Sequence, residues 1–92
     1  MTTEETTTPN TELVTQIKDL ITYNLNQIIE HTDELVLTEE IGDNSISITI
    51  KANKEDRGKI IGKKGSMIRS IRTLVRALAS KDRVRTVINM ID

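Results

Sequence analysis

The sequence has no cysteine, phenylalanine or tryptophan, and only one histidine and one tyrosine. Without cysteine there is no disulfide framework, no thiolate nucleophile and no Cys-bearing zinc site. His31 alone cannot supply the histidine pair common in metal sites, and it leaves a single imidazole for acid–base work. Tyr23 alone cannot build an aromatic platform for stacking bases. No apolar run approaches the eighteen or so residues of a bilayer span. The opening Met1-Thr2-Thr3-Glu4-Glu5 lacks the basic and apolar regions of a secretory signal. The expectation is one soluble cytoplasmic domain, because 92 residues fall well short of the length at which chains split. With 36% hydrophobic residues, the core must be small and aliphatic.

Charge is also absent, but only on average. The net charge is −1, yet through Ile50 one basic residue (Lys18) stands against ten acidic ones, a balance of −9. From Lys51 onward twelve basic residues face four acidic ones, a balance of +8. Such a partition implies a basic face on part of the fold and points toward a polyanionic partner. The plainer reading is two solvated charge blocks that pair across the fold.

Residues 1–10 hold five threonines, two glutamates and a proline, with nothing apolar after Met1. A segment that cannot bury surface cannot offset its ordering entropy, so this is read as a disordered tail ahead of a folded domain at residues 11–92. Leu13, Val14, Ile17, Leu20, Ile21, Leu25, Ile28 and Ile29 recur at helical steps, predicting an amphipathic first helix that ends between Tyr23 and Ile29. The period then switches to two. Residues 34–41 and 45–51 read as strands around the turn Gly42-Asp43-Asn44, the second marked by Ile46, Ile48 and Ile50. Asn53 offers a cap for a short helix through Ile61, broken at Gly62. Ser66 is expected to cap a further helix to about Ser80, carrying Met67, Ile68, Ile71, Leu74, Val75 and Leu78. Val84, Val87, Ile88, Met90 and Ile91 suggest a last strand. The expected fold class is α+β, ordered α-β-β-α-α-β, with a three-stranded sheet and its helices on one face.

The chemistry concentrates in Gly58-Lys59-Ile60-Ile61-Gly62-Lys63-Lys64-Gly65-Ser66. Two glycines three apart let backbone lie close against phosphodiesters, the start of the helix at Ser66 adds amide donors, and Lys63 and Lys64 add cations. A bare G-x-x-G is a weak signal, equally read as a helix end and a turn. The aliphatic pair before it, the amphipathic helix after it and the two lysines within it strengthen the reading. Arg69, Arg72 and Arg76 follow at i, i+3 and i+7 on one helix face, with Lys59 and Lys63 placed to extend a basic track. A solvated helix face is the commoner fate of such arginines.

Ile60-Ile61-Gly62-Lys63-Lys64-Gly65, within the α-β-β-α-α-β order, resembles the I-G-x-x-G core of type II KH domains, and a chain this short is most similar to the small bacterial KhpA family. The resemblance runs from about Thr11 to Asp92. It implies a single-stranded RNA-binding protein that clamps about four nucleotides between the loop and an aliphatic groove. The residues assigned to RNA, from the loop chemistry, the helix face and the resemblance together, are Lys59, Ile60, Ile61, Gly62, Lys63, Lys64, Gly65, Ser66, Arg69 and Arg72, with no cofactor, no metal and no catalysis expected. The resemblance further implies an RNA chaperone or regulator linked to cell elongation and shape. Its partner would be a larger KH protein of the KhpB (Jag) type, with a homodimer as a further option. Arg57 departs from the family, standing where an aliphatic residue is usual, and residues 24–32 are longer than the family's link.

Two other classes stay open on the residues alone. One is a helix-turn-helix DNA binder reading duplex with residues 66–80, although no Asn or Gln accompanies the arginines to read adenine. The other is a protein-interaction module in which the acidic half does the binding. A phosphate-binding P-loop is excluded, since Arg57 sits where its first glycine is needed and Lys64 takes the Ser/Thr place. Glu39-Glu40 would point to opposite faces of a strand and make a poor acid–base pair.

Overall fold

A computed structural model describes residues 11–91. The expected tail lies outside the described residues. The elements are α1 (Thr11–Asn26), β1 (Val36–Gly42), β2 (Ser45–Lys51), α2 (Arg57–Ile61), α3 (Ser66–Ser80) and β3 (Arg85–Met90), in the predicted α-β-β-α-α-β order. The sheet order is β1-β2-β3. β1 runs antiparallel to β2, while β3 runs parallel to it. A parallel neighbour requires a long crossover, and α2 and α3 form that crossover.

β2 lies in the centre because its alternation is the cleanest. Ile46, Ile48 and Ile50 are fully buried, and Ser45, Ser47 and Thr49 turn to the other face. The register extends that outer face as Thr38–Thr49–Asn89 and Glu40–Ser47–Val87 across the three strands. All three helices therefore pack on the isoleucine side. There Leu13, Val14, Ile17, Ile21 and Leu25 of α1 meet Ile60 of α2 and Ile68, Ile71, Val75 and Ala79 of α3. Leu74, read from sequence as part of the buried stripe, is instead 50% exposed, and Ala79 continues the buried stripe from Ile71 and Val75.

The link after α1 was the least defined part of the sequence. α1 ends at Asn26, whose neighbour Asn24 donates its side-chain amide to the Leu20 carbonyl (2.7 Å). One more turn, closed by Ile28 and Ile29 amides on the Leu25 carbonyl, buries Ile29. The strand predicted from residue 34 starts two residues later, because Thr32–Glu34 forms a 3-10 turn bonded to His31 and Thr32 carbonyls. Asn53 caps as expected, accepting from the Glu55 amide (2.8 Å), although the turn it caps is a 3-10 turn at Lys54–Asp56 ahead of α2.

Asp56 fastens the link to that turn. Its side chain is 1% exposed, and its two oxygens accept from the backbone amides of Glu30 (3.0 Å) and His31 (2.9 Å). Burial pushes the carboxyl pKa up. The two amides, with the nearby charges of His31 and Lys59, more than offset this and hold it below its ordinary value. Around this anchor, His31 Nε2 lies 3.0 Å from Glu55 and its Nδ1 3.9 Å from Glu34. The bond to Glu55, opposed by partial burial and aided by the charges of Asp56 and Glu34, raises the His31 pKa. Among the described residues, no helix is long and apolar enough to cross a membrane.

This cluster makes stability depend on pH in a defined direction. Since the folded pKa of His31 is raised, its contribution is complete below the unfolded value of about 6.5 and disappears as pH climbs through the folded value. The melting temperature should fall between pH 6 and 8, and His31→Gln should remove most of that slope. An unchanged slope in the variant would mean that the imidazole does not report this contact.

Candidate nucleic-acid interface

α2 and α3 are joined by four residues, and three of these residues stand in backbone conformations that side chains resist. Gly62 has φ 79° and ψ 173°, a region open essentially to glycine alone. Lys64 (φ 55°, ψ 29°) and Gly65 (φ 77°, ψ 13°) are both left-handed. A Cβ on Gly62 would lie 2.6 Å from Met67 Cβ and 2.7 Å from its amide nitrogen, so this glycine is where the chain passes the first turn of α3. A Cβ on Gly65 would lie 3.1 Å from Arg69 Nη1. Gly58, by contrast, has nothing within 4 Å of such a position, and its helical backbone does not need glycine.

The turn is closed by the Gly65 amide on the Gly62 carbonyl (3.0 Å) and by the Ser66 amide on the Lys63 carbonyl. Among the described residues, the amides of Lys63 and Lys64 have no protein acceptor. Both side chains are exposed, so the tip of the loop presents backbone donors beside two ammonium groups. An anion is what such a surface accepts.

The structure redistributes several of the sequence-predicted residues. Ile60 is fully buried and offers no surface to a ligand; it is a core residue. Ile61 is 43% exposed and keeps an apolar surface next to the loop. Ser66 is not the cap of α3: it is already helical, and left-handed Gly65 holds the cap position with no side-chain bond. Lys59 is directed toward the link after α1, its ammonium group 3.3 Å from the exposed carboxylate of Glu30. Arg69 and Arg72 do not act together either. Arg69 Nη1 donates to the Lys64 carbonyl (2.8 Å), toward the loop, whereas Arg72 donates through Nε and Nη2 to the Ile88 carbonyl of β3 (3.2 and 3.1 Å).

Arg72 and Arg76 line a groove of about 270 Å³ between α3 and β3, completed by Thr86, Val87, Ile88 and Asn89. β3 is an edge strand. Its Arg85 and Ile91 amides bond toward the hairpin and β2, so the alternating Thr86, Ile88 and Met90 direct backbone groups to the open edge. The edge groups other than the Ile88 carbonyl, which Arg72 already occupies, an apolar wall and the guanidinium of Arg76 together suit a nucleobase and its phosphate. Sequence reasoning named Arg76 only as part of a charged stripe and missed Thr86 and Asn89, because a groove between a helix and an edge strand has no local signature. Among the described residues, no group of three or more His, Asp or Glu could hold a metal ion.

A mixed three-stranded sheet with its helices on one face and a two-glycine loop between α2 and α3 is the architecture of a KH domain. The family model described as the KhpA/KhpB KH domain matches residues 18–90. The chain is 36% identical over 66 residues to the RNA-binding protein KhpA of Listeria monocytogenes, covering 72% of this chain and 87% of that protein. It is 32% identical over 75 residues to KhpA of Clostridium perfringens, covering 82% of this chain and all of that protein. To KhpA of Chlamydia muridarum it is 34% identical over 76 residues, covering 83% and 97%. The chain belongs to the KhpA/KhpB KH-domain family. The helix-turn-helix alternative falls with this, and α2, five residues long, is also too short for its first helix.

The glycines and isoleucines give sharp expectations for denaturant unfolding. Gly62→Ala should cost about 1–3 kcal/mol from backbone conformation alone and more from the approach to Met67. Gly58→Ala should instead stabilise by about 0.4–1 kcal/mol. Ile60→Ala should cost about 2–5 kcal/mol, and Ile61→Ala no more than about 0.5 kcal/mol. Similar losses at both isoleucines would contradict the division of roles.

Proposed function

We propose that this chain binds single-stranded RNA without catalysis, the loop 62–65 holding the backbone and the α3–β3 groove receiving bases. The observation that carries the reading is the loop tip, where two amides without a protein acceptor among the described residues stand with two exposed lysines at the start of the helix whose Arg72 and Arg76 line that groove. The relatives bear RNA-binding names, which supports RNA as the polyanion. The groove suits a single strand, because an unpaired base is free to turn its Watson–Crick edge toward the open edge of β3. Lys63, Lys64, Gly65 and the α3 amino end contact phosphate in this reading, Ile61 gives apolar cover, and Arg72 and Arg76 face the groove.

The family resemblance supplies the wider setting: a cytoplasmic RNA chaperone or regulator in cell elongation and shape, with a larger KH protein of the KhpB type or a second copy as partner. The exposed Leu74 is apolar surface available to such a protein.

Replacing Lys63 and Lys64 together by Asp puts carboxylates at the phosphate sites. Affinity for a short single-stranded RNA should fall by at least about tenfold, with stability changed by no more than about 0.5 kcal/mol. For the unmodified chain, three to five phosphate contacts give a log–log salt slope of about −2 to −3.5. Unchanged RNA binding by the folded double variant would overturn the clamp, and a preference for duplex DNA would overturn the choice of ligand.

A further inference from the structure

We infer that Arg69 is a positioning residue: its guanidinium holds Lys64 in the left-handed backbone conformation and so keeps the loop preformed for phosphate. A lysine at φ 55° pays a conformational penalty that glycine would avoid and asparagine would reduce. The compensating contact is the 2.8 Å bond from Arg69 Nη1 to the carbonyl of that same residue. Two further observations agree. The guanidinium lies over Gly65, so close that a Cβ there would stand 3.1 Å from Nη1, which gives the second glycine of the motif a task distinct from the first. The Lys64 carbonyl is held by α3, while among the described residues the amides of Lys63 and Lys64 have no protein acceptor.

The alternative, that Arg69 is one more phosphate-binding cation, makes different demands. A clamp acts before RNA arrives and acts through residue 64, so its loss lowers affinity by lowering the fraction of loops in the competent conformation. A phosphate contact acts only in the complex and is indifferent to what stands at position 64. The affinity part of the inference rests on the RNA-binding reading; the conformational part does not.

The test uses Arg69→Met, which keeps length and removes the donor, alone and combined with Lys64→Gln or Lys64→Asn. Both changes at 64 remove the lysine charge, but only asparagine tolerates the left-handed region. In the RNA-free protein, NMR backbone couplings and amide order parameters at residue 64 should show the left-handed state lost in Arg69→Met and retained in Arg69→Met/Lys64→Asn. With a mixed-sequence single-stranded RNA octamer, Arg69→Met should weaken binding about tenfold. The same loss should appear in the Lys64→Gln background and shrink to about twofold or less in the Lys64→Asn background, with the salt slope unchanged. Equal losses in all backgrounds, with a slope flattened by about 0.7, would make Arg69 a phosphate ligand and overturn the inference. An unaltered residue 64 in free Arg69→Met would overturn it too. If no variant and no parent binds RNA, the RNA reading fails, and the couplings in the free protein still decide the clamp.

Discussion

The passage of the chain across Met67 at Gly62 governs the geometry of everything near the candidate site. A side chain at 62 would meet the backbone of α3 at 2.7 Å, so only glycine lets α2 stop and α3 start within four residues. Because the reversal is that tight, Ile60 and Ile68 enter the same core while the intervening loop is forced outward. Because the loop is forced outward in left-handed steps, the amides of Lys63 and Lys64 join neither helix and stay available as donors. α3 is then directed back along the sheet, and β3 is delivered parallel to β2 with one edge open. The groove thus follows from the same reversal as the loop.

Much of this was legible in the sequence, for local reasons. Alternation in Ile46, Ile48 and Ile50 is unambiguous because Ser, Thr and Lys fill the intervening places, and helical spacing in α1 and α3 runs for several turns. The glycine loop was legible as a place, since two glycines between aliphatic runs imply an interruption. The side chains around it were not. Arg69 and Arg72 share a helix face at the level of Cβ atoms, but each long side chain ends on whichever carbonyl is within reach, one in the loop and one on β3. Lys59 was drawn away by Glu30, a residue whose position depends on the irregular link after α1. Asp56 reads in sequence as a favourable acid in a first turn; its actual partners, the amides of Glu30 and His31, lie 26 and 25 residues away. Long-range pairing of this kind leaves no period to detect.

The charge partition acquires a physical meaning once the elements are placed. The acidic half builds α1, the link and β1. Its single basic residue, Lys18, spans from α1 to Glu39 on β1 at 2.8 Å, and the bond to Lys18 lowers the Glu39 pKa. The basic half builds the loop, α3 and β3, which carry the candidate interface. Where the halves touch, at Lys59–Glu30 and His31–Glu55, opposite charges meet and fasten the link to α2. Charges separated by more than about 8 Å are largely screened from one another at physiological salt. A net charge near zero therefore does not weaken the positive field at the loop. Lys63, Lys64, Arg72 and Arg76 stand on the loop and α3, whereas Glu39 and Glu40 stand on β1 at the far edge of the sheet. The partition thus gives the two parts of the fold opposite electrostatic character, acidic along α1 and β1 and basic along the loop, α3 and β3.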